Sequence, residues 1–505
     1  MLKTLRLSLK DSLVYGIGNI AVKIVGLVLI PLYTDPEYFS VDEFGTLALL
    51  DITGLILLSI LASGLPQSLM RWYWDKDHKP NQPGIFFMTL TSQLIISFVL
   101  CILLIPLSGT FSEVLFRKSD WSGVISLVIL ASALQSVNNI ISTLMRLQSR
   151  SVLYTVTNLV KLGVVLFLTL YFIIVRKTGL EGIYLAQVIG NGFYIIISAR
   201  YTVSNARPFF DPSLLKEMNL YGFPLMLANI AAVMLNVIDR FTLNSLTVLK
   251  FVAIYTLALK ITSVLKLAIV DSVKLALGPL MFKKMDAPDN MRFYSKALLY
   301  SSYVLMTGIV AFSLFSYEIT SLITMSDEYL NGVALVPVLA LSVFFINMRE
   351  ITVYGLHFAK KTKIIGAIVV IATILSLILN LILVRLWDMT GAAIATIISQ
   401  SAFWYACYYF SQKAFYIPYE IRKISVMLIT GASLSFLSLI LNELQFFPRL
   451  LLKICALVSF PFILNLFQFY EPAEIQAVKG FIRKWMNISR FRQNINTLKH
   501  LSDDF

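Results

Sequence analysis

Long apolar stretches, separated by short polar segments, run along nearly the whole chain. A helix needs about 20 consecutive apolar residues to cross a bilayer. The pattern predicts about fourteen transmembrane helices, at 11–34, 44–70, 84–107, 121–146, 151–175, 182–203, 214–240, 249–282, 293–317, 330–357, 363–386, 390–412, 423–442 and 448–468. The first stretch is too long for the core of a cleavable signal peptide and reads as a retained span. The fold class that follows is an all-α polytopic membrane protein.

Composition agrees with this pattern. Of 505 residues, 58% are hydrophobic and 14% charged, against about 25% charged in ordinary soluble domains. That excludes a secreted globular protein, a disordered chain and a nucleic-acid-binding module. The three cysteines, Cys101, Cys407 and Cys455, lie in apolar runs, and His78, His357 and His500 are scattered. No disulfide framework or metal site is legible, and no metal or cofactor is expected.

The net charge of +14 is mostly a topology signal. With the N-terminus inside, the inside segments hold 27 Lys and Arg and the outside segments hold 8. Basic residues mark cytoplasmic loops, so both termini are expected in the cytoplasm. The tail places Ile475, Val478, Ile482 and Trp485 on one helical face beside Lys479, Arg483 and Lys484. That reads as an amphipathic helix on the anionic leaflet.

The first twelve spans contain a duplication. Thr46–Leu49 recurs as Thr256–Leu259, and Val175, Arg176, Gly182 and Ala186 recur as Val384, Arg385, Gly391 and Ala395. Six spans per half give both halves the same orientation, as in parallel repeats of transporters with a midplane site between the halves. The expected organisation is two six-helix lobes, at 1–208 (spans 1–6) and 209–413 (spans 7–12). Spans 13 and 14 follow at 414–470, then a basic tail at 471–505.

Ionisable residues inside spans cost roughly 2.5–3.5 kcal/mol on insertion scales unless they face a cavity or a partner. The candidates are Lys23, Asp51, Lys161, Lys260, Lys266, Asp271, Lys274, Arg349, Glu350 and Lys453. At 100° per residue, Asn19 and Lys23 share a face of span 1, and Asn158 and Lys161 one of span 5. Asn229, Asn236 and Arg240 line up on span 7. Lys260, Ser263, Asp271 and Lys274 line up on span 8, with Lys266 to the side. The basic excess points to an anionic substrate group. Lys274 with Asp271, and Arg349 with Glu350, also read as structural pairs, and Lys453 as a residue that snorkels or pairs locally. Asp51, Asp271 and Glu350 are candidates for carrying a coupling ion, H⁺ or Na⁺, or for pairing helices.

Several motifs then resemble a known family: Ser12–Asn19 and Pro31–Thr34 in span 1, Asp42–Leu49 leading into span 2, Tyr221–Pro224 and Asp239–Phe241 around span 7, and Val252–Lys260 in span 8. Together they resemble the Wzx-type oligosaccharide flippases, the polysaccharide-biosynthesis branch of the multidrug/oligosaccharidyl-lipid/polysaccharide (MOP) exporter superfamily. The resemblance implies lobes working by alternating access in the bacterial inner membrane. It implies an undecaprenyl-diphosphate-linked oligosaccharide as substrate, moved from the cytoplasmic to the periplasmic leaflet for surface polysaccharide synthesis. Polymerase and ligase machinery are the implied partners besides membrane lipids. On that reading Lys23, Lys161, Lys260, Lys266, Arg240, Lys274 and Arg349 meet the diphosphate, and Asn19, Asn158, Asn229, Asn236 and Gln400 meet the sugars. The lipid II flippases of the superfamily are similar too, with basic residues on spans 1, 2 and 8, but span 2 here carries Asp51. An ion-coupled multidrug exporter is the other alternative. An enzyme is not expected, since no outside loop is long enough for a domain.

Overall fold

The computed structural model describes residues 25–75, 79–285, 288–472 and 474–476. Among them, twelve helices are long and apolar enough to cross a membrane. The predicted first span lies mostly outside the described residues, and so do Asn19, Lys23 and nearly all of the amphipathic tail.

Helix α1 is Val41–Leu61, followed by the short α2, Leu65–Trp72. Next come α3 (Gln82–Leu104), α4 (Ser122–Leu147), α5 (Ser151–Leu170) and α6 (Gly179–Ser204). The second half begins with α7 (Pro212–Leu235) and α8 (Ile238–Leu246), then α9 (Leu249–Lys283), α10 (Asn290–Leu314) and the short α11 (Ser316–Ile323). It ends with α12 (Leu335–Thr352) and α13 (Thr362–Ala414), after which α14 (Ile421–Leu441) and α15 (Phe446–Leu466) follow. Helix α13 leaves helical geometry at Trp387 and Asp388, so its 53 residues carry both the eleventh and the twelfth predicted span.

Local sequence fixes several helix starts. Ser40 and Glu43 form a capping box before α1, pairing two backbone donors that a helix leaves open. Asp211 caps α7 through the amides of Ser213 and Leu214, with Pro212 at the first position, where its missing N–H costs nothing.

Two π turns break the regular α-helical register. One, Tyr171–Val175, extends α5; the other, Lys266–Asp271, interrupts α9. A π turn holds more residues than an α turn, so the register of side chains shifts across it. Lys260 and Lys274, predicted on one face, lie on either side of this turn, about 21 Å apart along the helix, and meet different neighbours. Lys260 lies over the rings of Tyr33 and Phe44, whereas Lys274 pairs with Glu350 on α12.

Helices α1 and α3–α6 pack on one another, and α9, α10, α12 and α13 form a second group to which α14 and α15 attach through α10. The groups meet where α1 packs against α9, and α7 bridges from α2 to α13. The end of the bundle where the chain leaves α15 is the tail end. At the opposite, far end both groups share one core, with Phe44 and Leu47 beside Val252, Tyr255 and Tyr329. At the tail end each group keeps a separate core.

The far-end seam is tight. Glycine at position 45 brings α1 onto the Leu249 carbonyl, which a Cβ would strike. Phe44 meets Tyr329 edge-on, with ring centroids 5.8 Å apart. Arg117 donates to the Ser245 carbonyl at 3.0 Å and Asn244 to the Leu115 carbonyl at 2.6 Å. At the tail end Gly64, with φ +72°, abuts Gly222, and Ser68 Oγ donates to the Met218 carbonyl at 2.7 Å.

A charged clamp holds the chain after α15. Lys296 Nζ bonds Glu471 at 2.5 Å and Glu420 at 2.8 Å, while Lys423 Nζ bonds Glu420 at 2.7 Å. The Lys296 bond keeps the Glu471 carboxyl below its usual range. A depressed folded-state pKa contributes stability that is present above the ordinary carboxylate pKa and lost as pH falls through the lowered one. Hydrogen exchange of residues 467–472 is therefore expected to rise on acidification below the ordinary glutamate range. Unchanged protection there down to strongly acidic pH would show that the clamp does not hold this segment.

Candidate functional site

Polar groups meet within the membrane span in three places. The first is a cavity of about 360 Å³ between α1, α4 and α6, lined by Asp51, Ser132, Gln135, Tyr184, Gln187 and Asn191 against apolar walls from Leu50, Leu55, Leu58 and Val128. Tyr184 donates to Asp51 Oδ1 at 2.9 Å. Lys161, on α5, donates to Gln135 Oε1 at 2.9 Å and lies 5.6 Å from the centre of the Tyr194 ring. Gln135 in turn donates to Asn139 at 3.2 Å. Among the described residues, no carboxylate pairs with Lys161. A cation in the bilayer interior held only by a neutral amide and a ring face keeps donors for an incoming acceptor.

The second place is the seam between the two groups. Lys260 Nζ lies 5.0 Å from the Phe44 ring centre and 5.6 Å from that of Tyr33, and it interacts electrostatically with Asp51. Nearby, Tyr255 donates to Asp239 Oδ2 at 2.7 Å and contacts Thr396 Oγ1 at 3.0 Å. Arg240 pairs with Asp239 at 3.4 Å and donates to the Asn236 carbonyl.

The third is in the second group. Glu350 accepts from Lys274 at 2.7 Å and from Arg349 at 2.9 Å. Arg349 also donates to Gln400 Oε1 at 3.1 Å and stacks 4.3 Å from the centre of Phe403. One carboxylate thus serves two cations. Lys274 reaches across to Glu350 on α12. The expected Arg349–Glu350 pair is present.

The remaining candidates are less gathered. Asn158 and Asn236 donate to carbonyls of their own helices, Tyr154 at 2.8 Å and Ala232 at 2.7 Å, and Asn229 is exposed on α7. Lys266 and Asp271 lie in the π turn and engage other groups. Lys453 is fully buried and paired with Glu318 at 2.7 Å.

The pattern of ionisable residues does not reveal Gln135, Gln187, Asn191 and Tyr184, which line the cavity. The sequence does carry a signal for part of this set: Gln135, Asn138 and Asn139 form a run of amides inside an apolar span, and buried amides require partners.

The profile of a family described as polysaccharide biosynthesis protein matches residues 8–285, more than half of the chain. No curated protein matches the sequence. Among solved structures, the lipid II flippase MurJ in an inward closed conformation aligns with a TM-score of 0.71 at 14% identity, covering 91% of this chain and 100% of that one. An inward-facing multidrug resistance MATE transporter of the MOP superfamily aligns at 0.60 with 15% identity, covering 81% and 98%. The MATE transporter DinF-BH, bound to R6G, aligns at 0.60 with 17% identity, covering 81% and 95%. The chain is a multi-pass membrane protein of the polysaccharide biosynthesis family, with the fold of the MOP transporters.

Proposed function

We propose that this protein is a flippase that moves an undecaprenyl-diphosphate-linked oligosaccharide from the cytoplasmic to the periplasmic leaflet of the bacterial inner membrane. The carrying observation is Lys161, held at mid-membrane by neutral Gln135 beside a cavity of amides, hydroxyls and one carboxylate. A diphosphate cannot enter hydrocarbon without replacement donors for its lost water, and Lys161, Lys274 and Arg349 supply them. Sugar hydroxyls need paired donors and acceptors, which Gln135, Gln187 and Gln400 offer. The prenyl chain stays in lipid.

In this reading residues 1–208 and 209–413 act as two lobes, closed at the far end, which is periplasmic, and the tail end is cytoplasmic. Asp51 and Glu350 are the groups positioned to exchange a coupling H⁺ or Na⁺ with substrate, each already facing a lysine. Polymerase or ligase machinery would receive the product.

The test is deletion or depletion of the gene, with mass spectrometry of lipid-linked glycans, then complementation. One undecaprenyl-diphosphate oligosaccharide is expected to accumulate. Lys161→Met should restore export about tenfold or more below wild type, the loss expected for a charge-assisted hydrogen bond, and Lys161→Arg should restore more. Wild-type export by Lys161→Met would sink the site. Accumulated peptidoglycan precursor would make the substrate lipid II, and an unchanged lipid-linked pool would favour an ion-coupled exporter.

A further inference from the structure

At the far end, away from the polar cavity, α11 and α15 bury a cluster whose charges do not balance. Glu318 accepts from Lys453 through both oxygens, at 2.9 and 2.7 Å, and Arg449 Nε lies 2.9 Å from its Oε1. The third Lys453 donor goes to Asn442 Oδ1 at 2.7 Å. Lys453 is 0% exposed and the Arg449 side chain 13%. Among the described residues, two cations therefore share one carboxylate, and one positive charge remains.

That remaining charge belongs to Arg449. The three Lys453 donors are satisfied, whereas Arg449 Nε–H finds no aligned acceptor. Among the described residues, nothing accepts from its Nη groups. Its guanidinium is held by rings instead, 4.6 Å from the centre of Tyr317 and 5.9 Å from that of Phe446. Arg449 is the fourth residue of α15, so it lies about 5 Å inside the far end of that helix. Beside it on α15, Phe446 and Leu452, three residues to either side, are 56% and 45% exposed, and Leu322, one turn beyond Glu318 on α11, is 81% exposed.

We propose that this corner binds the phosphate of a phospholipid, with Arg449 as its ligand and the acyl chains lying on Leu322, Phe446 and Leu452. A phosphodiester carries one negative charge and matches the one left over. The planar fork of arginine is suited to two phosphate oxygens. A low-dielectric cluster with an unmatched charge is costly to maintain, and a headgroup removes that cost. The site is separate from the transported substrate and stands whether or not the flippase reading does.

The charge argument makes an unusual demand on variants. Arg449→Gln leaves a neutral Lys453–Glu318 pair, and Lys453→Met leaves a neutral Arg449–Glu318 pair. Both should fold, and both should lose the lipid, although only the first removes its ligand. The experiment is native mass spectrometry of the full chain in maltoside detergent, with phosphatidylglycerol, a phosphate-free galactosyl diacylglycerol or inorganic phosphate added. Wild type is expected to retain phosphatidylglycerol and not the galactolipid, and each variant to retain it about tenfold less, as for loss of a charged hydrogen bond. Equal retention of the two lipids by wild type would overturn the proposal without recourse to variants. So would undiminished retention by both variants. Binding of inorganic phosphate with no retention of phosphatidylglycerol would mark a soluble-anion site and overturn the lipid assignment.

Discussion

Gly45→Leu is expected to abolish transport while leaving the protein folded. Glycine at this point lets α1 and α9 approach backbone to backbone, and a side chain would run into the Leu249 carbonyl. Small residues permit such close helix crossings in membranes, where packing supplies much of the association energy. Neither helix can yield alone, because each is embedded in its own group. The groups must separate, opening the contact between Phe44 and Tyr329 and the bed of rings beneath Lys260. A transporter that cannot reseal one end cannot complete a cycle. The check is a thiol reagent applied to Tyr329→Cys with and without Gly45→Leu, alongside glycan export. Faster labelling with lost export is expected. Wild-type export with unchanged labelling would mean that the seam tolerates a side chain and that its closeness has no part in the cycle.

Glu318→Ala is expected to be the most destabilising single change at the far end. It strands Lys453, with no exposed surface, and Arg449 without their shared counter-charge. Removing one partner from a buried ion pair costs about 3–5 kcal/mol, because the other charge remains desolvated. Loss of folded protein on heating in detergent should therefore occur at markedly lower temperature. Replacing all three, as Glu318→Leu with Lys453→Met and Arg449→Leu, should recover most of that loss, since an apolar cluster of similar volume carries no desolvation penalty. A single variant as heat-resistant as wild type would show that water reaches the cluster and that its charges are not held in a low dielectric.

Gly45 and Glu318 differ in how far the chain announces them. Gly45 stands in a stretch, Asp42–Leu49, whose residues are among those that resemble the family. Its role in the seam is nonetheless invisible in that motif, since the Leu249 carbonyl lies about two hundred residues away in the chain. Glu318 carries no signal in the sequence at all. It falls in a short loop helix, where a carboxylate is ordinary until α15 places Lys453 and Arg449 beside it.

What the sequence determined by itself is the membrane-spanning helical class and, beyond the first stretch, where the long apolar helices lie. Both follow from local rules: backbone groups in hydrocarbon must bond within their own helix, and the required apolar length is contiguous in the chain. Family membership was also legible, because its motifs are short and continuous. Which charges meet was not. Lys260 and Lys274, fourteen residues and about 21 Å apart along α9, meet different elements, Lys260 at the seam and Lys274 at Glu350. In the sequence Lys161 is one cation among several; the fold gives it Gln135, a neutral partner, while Lys274 and Lys453 receive carboxylates. Partner choice is a long-range property, decided by helix packing, which a hydrophobic pattern does not record.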